Sequence, residues 1–571
     1  MAGVLTPLFA LRGENDFGIG DIAALREFID WAAESGFRVV QLLPVNETGN
    51  DHSPYNAISS VALDPTTIET STEALPELRK EDMAQALAGI DLDALRQGPV
   101  HYPQVKALKR NLLRRAFDRF ITEHWIRDDP RTQDFRQFTK DEAAWLDGYA
   151  LFRVLIDCNG KGECWDQWPP EQQTAKSAQE WLAKQPAVVR MEIEAEMRFV
   201  KYIQWIAFTQ WREIKRYAED RHVALMGDVP FGVSYYSADV FSDPEIFNLK
   251  WSGGAPPEPL FRDDPFTVKW GQNWGVPLYH WDVLMRRNLD WWRQRVGKVR
   301  RIFHLFRIDH VLGFYRIYGF PWRPQRNGEF LPLTPEEASE ITGGELPHFH
   351  EFDDETPEHC AANCANGEER LKPLLEEVGE YRLIGEDLGT VPDYVRPNLT
   401  SLGIAGFKVP QWETRWDTHL IPGQEYQRLS VTTFATHDHE PLRAQWERWM
   451  CVIERAEHDH SDEAHQARDW TWWEVRRMSA WAGFEVPCIT PFNDEVHERL
   501  LGGLFETNSW MAICMVTDVF GSTQRFNVPG SMSDSNWSQR LAGTPRSWKS
   551  DPERCAKMQR LRALIAQSGR A

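Results

Sequence analysis

The chain has 571 residues, 42% hydrophobic and 26% charged, a composition that folds rather than stays disordered. With 85 Asp and Glu against 64 Lys and Arg, the formal charge of -21 repels phosphate backbones and excludes a general nucleic-acid binder. No apolar run reaches the about 18 residues of a membrane span. The mildly apolar start lacks a basic flank and runs into Arg12 and Glu14, so no signal peptide is expected.

Residues 21–33 put Ile22, Leu25, Phe28, Ile29 and Ala32 on one helical face, with Asp21 as N-cap and Gly36 as the stop. A buried strand follows at 37–45, and another is expected near Val61. The stretches 105–124 and 177–198 are charged and helical in pattern. Phe199, Val200, Ile203, Ile206, Ala207 and Ile214 mark an amphipathic helix feeding a strand at 223–226, which ends at Gly227-Asp228. Further strands read at 302–308, ending at Asp309, and at 381–384, ending at Gly385-Glu386-Asp387. The last three lie at 404–409, at 431–435 before Thr436-His437-Asp438, and at 511–516 before Thr517-Asp518. Eight strands alternating with helices predict an α/β fold, a (β/α)8 TIM barrel with its chemistry at the C-terminal strand ends. An open doubly wound sheet is the alternative. The whole chain, 1–571, reads as a single catalytic barrel with a helical insertion over about residues 70–200. Two Gly-, Pro- and aromatic-rich stretches, 234–280 and 315–380, read as lid or groove insertions.

Eight cysteines scattered through a long chain point to a reducing cytoplasm, with Cys158 and Cys164 unpaired. Most of the 26 Trp belong to the core, and the remainder offer flat apolar rings of the kind that suits pyranose faces. Acids at the ends of several barrel strands converge on one mouth. Glycosyl transfer needs such a set: one carboxylate to attack, one carboxylic acid to protonate the leaving oxygen, and one to stabilise the developing charge. Arg307 lies two residues before Asp309, so both point to one face and Arg307 keeps Asp309 ionised. His437 beside Asp438 is a candidate donor to a sugar hydroxyl. Each feature has a plainer alternative: a helix cap, a buried ion pair or a core histidine.

A rival reading gathers Asp228, His310, Glu386, His437, Asp438 and His439 into a divalent-metal site. It lacks the His-x-His expected at the first strand end, where Pro44-Val45-Asn46 stands instead. His348, His350, His359, Cys360 and Cys364 are spaced too irregularly for a zinc knuckle and read as surface residues. There is no Gly-x-Ser-x-Gly elbow, His-Glu-x-x-His helix or Walker loop.

Phe306-Arg307-Ile308-Asp309-His310 resembles the fourth-strand motif of the α-amylase clan. Gly385-Glu386-Asp387-Leu388-Gly389 resembles the fifth-strand motif of its amylomaltase branch, the 4-α-glucanotransferases, and Thr436-His437-Asp438 the seventh. Phe17-Gly18-Ile19-Gly20-Asp21, Gln41-Leu42-Leu43-Pro44, Ser53-Pro54-Tyr55, Ser237-Ala238-Asp239-Val240, Gly271-Gln272-Asn273-Trp274-Gly275 and Asn527-Val528-Pro529-Gly530 are similar to further segments of that family. The matches run from about residue 17 to 541, nearly the whole chain. The resemblance implies a retaining enzyme that moves segments of α-1,4-glucans and maltooligosaccharides to acceptor glucans, with no metal, organic cofactor, nucleic-acid or membrane partner. It implies Asp309 as nucleophile, Glu386 as acid/base and Asp438 as transition-state stabiliser. Arg307, His437, Tyr55, Asp239, Gln272, Trp274 and Asp387 are the substrate contacts it implies. Four departures, Val311-Leu312-Gly313, His439-Glu440-Pro441, Val276 and Thr517, spare the acids but alter the acceptor side. An α-1,4-glucan hydrolase on the same residues is the competing activity. A glucan-binding protein without catalysis is disfavoured, because all three acids are present.

Overall fold

The computed structural model describes residues 1–258, 264–416, 418–459, 461–529 and 533–571. The described strands are β1 (Ala2–Thr6), β2 (Val39–Leu42), β3 (Ala224–Val229), β4 (Phe247–Ala255), β5 (Gln272–Tyr279) and β6 (Leu305–Ile308). They continue with β7 (Ile317–Phe320), β8 (His348–His350), β9 (Leu383–Gly385), β10 (Gly406–Lys408), β11 (Ser430–Thr432) and β12 (Met511–Met515). Eight of them form a parallel sheet in the order β10-β11-β12-β1-β2-β3-β6-β9. A parallel bridge between Ile384 and Ala405 joins its two ends and closes the (β/α)8 barrel. All residues of β1, β2 and β12 are buried, as expected where helices cover the outside and side chains fill the inside.

The first strand differs from expectation. Residues 2–6 are β1, paired with β12 on one side and β2 on the other. The segment around Val61 is no barrel strand. It belongs to a loop held by isolated bridges from Asn46 to Leu63 and from Thr48 to Ala57, and this loop carries Tyr55. The helix Ile22–Glu34 starts as predicted, with the Asp21 carboxylate accepting from the amides of Ala23 and Ala24.

Between β2 and β3 stand long helices, among them Tyr102–Glu123, Ala143–Cys158 and Ala187–Asp220. Lys109, 1% exposed, pins the first of these to the barrel. Its ammonium lies 2.9 Å from Asp21 Oδ2 and donates to the carbonyls of Thr66 and Ile68, each at 2.7 Å. The two stretches read as separate lids, 234–280 and 315–380, instead share one antiparallel sheet, β5-β4-β7-β8. Residues 259–263 of the first stretch lie outside the described residues. The strands of this sheet follow β3 and β6 in the chain, and β5 brings Trp274 against His310, just past the end of β6. All eight cysteines are free. Among the described residues no helix is long and apolar enough to cross a membrane.

Tryptophan divides as composition suggested. Trp31, Trp205, Trp211, Trp292, Trp446 and Trp548 are fully buried, whereas Trp274, Trp412, Trp416 and Trp470 stand in solvent.

Candidate active site

Arg307, on β6, is the hub. Its buried guanidinium sends Nη1 to Asp228 Oδ2 and Nη2 to Asp309 Oδ1, each at 2.6 Å. Nη2 also lies 3.9 Å from Glu386 Oε2. Three strand-end acids thus share one fork. Burial alone would favour a neutral arginine, but Asp228 and Asp309 outweigh it and hold the charge. Tyr55 donates its hydroxyl to Asp228 Oδ2 at 2.7 Å.

Glu386 follows β9 directly and is 8% exposed. It accepts from the amides of His310 (2.8 Å) and Leu388 (2.8 Å). These bonds and Arg307 favour its charged form, yet burial, helped by the charge of Asp309, pushes it up to about 7. The His310 amide reaches Glu386 from a left-handed backbone with φ of 48°, a conformation that costs a non-glycine residue roughly 1 kcal/mol or more. Burial pushes the His310 imidazole down to about 4, so it is neutral, and its ring meets Trp274 edge to face at 4.8 Å. The fourth-strand turn therefore carries both the acid's amide partner and a perch for the overlying tryptophan.

Asp438 stands across the mouth. Asn527 Nδ2 donates to its Oδ1 at 2.6 Å, and His437 Nε2 is 3.2 Å from its Oδ2. His437 Nδ1 lies 3.3 Å from the Tyr55 hydroxyl, whose single proton already goes to Asp228. The two rings are stacked, so the directed partner of the imidazole is the Asp438 carboxylate at Nε2, which favours the charged ring. Burial opposes this charge, but Asp438 prevails and raises the imidazole above its ordinary value. Burial likewise opposes ionisation of Asp438, and His437 and Asn527 reverse that to hold the carboxyl well below the usual range.

The structure thus brings Arg307, Asp309, Glu386, His437, Asp438 and Tyr55 together, with Trp274 above them. Trp274 Nε1 donates to Gln272 Oε1 at 3.2 Å. Tyr55 spends one ring face on His437, stacked at 4.8 Å, so it braces the acids more than it offers a free platform. Two expected contacts are engaged by protein partners. Asp387 is 1% exposed and turns to the barrel wall, accepting from the Phe407 amide (2.5 Å) and Arg396 Nε (2.9 Å). Asp239 is engaged by the amide and hydroxyl of Ser60 and by Trp291 Nε1. Three functional candidates had no role in the glucan reading of the sequence: Asp228, which entered only the rival metal reading, Asn527, and Arg525, whose Nη2 donates to the Asp438 carbonyl at 2.8 Å. The strand-end Gly227-Asp228 and the Asn527 segment were the available signals; Gly530 of that segment lies outside the described residues.

The residues of the rival metal reading do not form a ligand set. Arg307 supplies the cation among the acids, the His310 ring abuts Trp274, and His439 Nδ1 turns back to the Thr436 hydroxyl at 2.9 Å. Among the described residues no group of three or more His, Cys, Asp or Glu is placed to hold a metal ion.

The family profile described as 4-alpha-glucanotransferase matches residues 6–545. The 4-alpha-glucanotransferase of Chlamydia caviae is 31% identical over 551 residues, covering 94% of this chain and 90% of the relative. Among solved structures, the amylomaltase from Streptococcus agalactiae in complex with acarbose superposes with a TM-score of 0.73 at 22% identity, over 100% of this chain and 99% of that one. The amylomaltase from Corynebacterium glutamicum gives 0.74 at 20%, over 99% of this chain and 75% of that one. These two likenesses speak to the fold, while the profile and the chlamydial relative speak to descent: the chain belongs to the 4-alpha-glucanotransferase family.

Proposed function

We propose that this α-1,4-glucan transferase works by retaining double displacement, with Asp309 as nucleophile, Glu386 as acid/base and Asp438 as stabiliser of the charged sugar. The observation that carries the reading is the single nitrogen, Arg307 Nη2, set between Asp309 at 2.6 Å and Glu386 at 3.9 Å. These two contacts hold the facing carboxylate oxygens no more than about 6.5 Å apart, a bound that accommodates the roughly 5 Å spacing of a retaining pair.

Arg307 holds Oδ1 of Asp309, which leaves Oδ2 free to attack the anomeric carbon. Glu386 starts protonated and gives its proton to the leaving 4-oxygen, so the reducing-end fragment departs neutral. The glycosyl-enzyme then meets an acceptor whose 4-hydroxyl returns a proton to Glu386, while its oxygen displaces Asp309. Asp438, ionised beside His437, faces the positive charge that develops on the ring in both steps. Trp274 and Gln272 cover the mouth and favour sugar over water as acceptor. The chain acts in this reading as one catalytic barrel over 1–571, with the insertions at about 70–200, 234–280 and 315–380 shaping the groove. Asp239 and Asp387 serve only as bracing.

Incubation with maltotriose, followed by product analysis, tests this. The expected result is glucose plus a ladder of longer maltooligosaccharides, lost by about 10⁴-fold in Asp309→Asn. Shorter sugars without the ladder would mean that water is the acceptor, and an undiminished Asp309→Asn would remove the nucleophile assignment.

A further inference from the structure

Beyond the mouth, one helix carries an aromatic face that neither the core nor the proposed mechanism uses. On Asp462–Trp481, the buried positions are Thr471, Val475, Met478 and Ser479. Trp470, Trp473, Glu474 and Arg477 recur at i, i+3, i+4 and i+7, a second stripe on the same helix. Trp470 is 64% exposed, and its ring lies 4.8 Å from Trp473 at an interplanar angle of 38°. Arg477 covers Trp473, its guanidinium carbon 4.2 Å from the ring, and grips both carboxylate oxygens of Glu474.

The stripe is tied to the reacting centre. Arg477 Nη2 donates to the carbonyl of Gln411 at 3.1 Å. The next residue, Trp412, is half exposed and packs at 5.1 Å against His439, the neighbour of Asp438. Arg477, the residue tied to Gln411, and Trp470 stand about 10 Å apart along the helix axis. Exposed rings flanked by planar polar groups match the chemistry of a glucan, whose sugars offer an apolar face rimmed by hydroxyls.

We propose that Trp412, Arg477, Glu474, Trp473 and Trp470 form an outlying track that binds the distal part of a long α-1,4-glucan, continuous with the centre where transfer occurs. This rests on the transferase reading given above. In this proposal a trisaccharide held at the acids stops short of Trp470, whereas a long chain touches both regions, so the track favours long substrates.

Trp470→Ala tests this, since a largely exposed side chain can be truncated without disturbing the core. The expected result is kcat/KM on amylose lowered about fivefold to tenfold through KM, with maltotriose turnover within about twofold of the parent. In the Asp309→Asn background, the same change should reduce the retardation of the protein in native gels containing amylose, and Trp470→Tyr should restore most of it. Equal retardation and equal KM on amylose would overturn the track. So would equal losses on both substrates, or a change in oligomeric state as the sole effect, which would mark the face as a protein contact. A parent chain that transfers no glucosyl unit from maltotriose would overturn the transferase reading itself, and the track with it; a track failure alone leaves that turnover intact.

Discussion

At the scale of single residues, the site is governed by a shortage of positive charge. One buried arginine serves Asp228, Asp309 and Glu386, and burial, which this single cation does not offset at Glu386, pushes that carboxyl up to about 7. Glycosylation needs its proton, and rising pH removes it. We therefore expect kcat/KM on maltotriose to fall above about pH 7; a profile flat to pH 9 would show that Glu386 is not the acid. The fork of Arg307 matters as much as its charge. Arg307→Lys keeps one cation but cannot bond Asp228 and Asp309 along two fixed directions, so kcat/KM should drop by about 100-fold or more with the fold intact by circular dichroism. Asp387 shows how adjacent acids part company. Successive residues of an extended chain point to opposite sides, so Glu386 enters the mouth while Asp387 meets the wall. The same period that paired Arg307 with Asp309 in the sequence argues against Asp387 as a sugar contact.

At the scale of elements, the helical insertion depends on one buried ammonium. Lys109→Met would leave the Asp21 carboxylate without its partner at the head of the helix Ile22–Glu34. Removing one member of a buried pair costs about 3–5 kcal/mol, so urea unfolding should show that loss, with Asp21→Asn added to Lys109→Met recovering part of it. Seven barrel strands were legible as apolar runs ending in polar residues. The first was not, because Ala2–Thr6 is short and its fixing partners β2 and β12 lie far along the chain. The antiparallel sheet was not, because β4 and β5 are rich in Gly, Asn and Trp and pair with register breaks at Asn248/Ser252 and Gly253/Gly254, which erase strict alternation. The three proposed catalytic acids were legible because each sits at or shortly after an apolar strand run, Asp309 and Asp438 with a basic or imidazole neighbour as well. Asp228 was legible as a strand-end acid, but only the fold shows that Arg307 and Tyr55 converge on it.

At the scale of the whole molecule, the pH dependence of stability should carry the mark of Asp518. Its side chain is buried after β12, with Oδ1 accepting from the Leu442 amide and Oδ2 unpartnered. Burial pushes it up to about 7, against an ordinary value of about 4. The folded chain keeps this proton where the unfolded chain gives it up. Stability is therefore fullest at low pH with respect to this group, and is lost between about pH 4 and 7 at about 1 kcal/mol per pH unit. Asp518→Asn should remove that slope, read as urea midpoints at pH 5 and 7.5. The barrel also has a seam. Between β9 and β10 the backbone supplies the Ile384–Ala405 bridge, and the next rung is a side chain, the Asp387 carboxylate on the Phe407 amide. That carboxylate fits because residue 406 is glycine: a Cβ there would stand 2.9 Å from its oxygens. A ring fastened by a carboxylate clasp can be unclasped along one line. Amide hydrogens at 405–408 should exchange with solvent before those of β1 and β2, which makes the border of the acid-bearing strand the place where this barrel breathes.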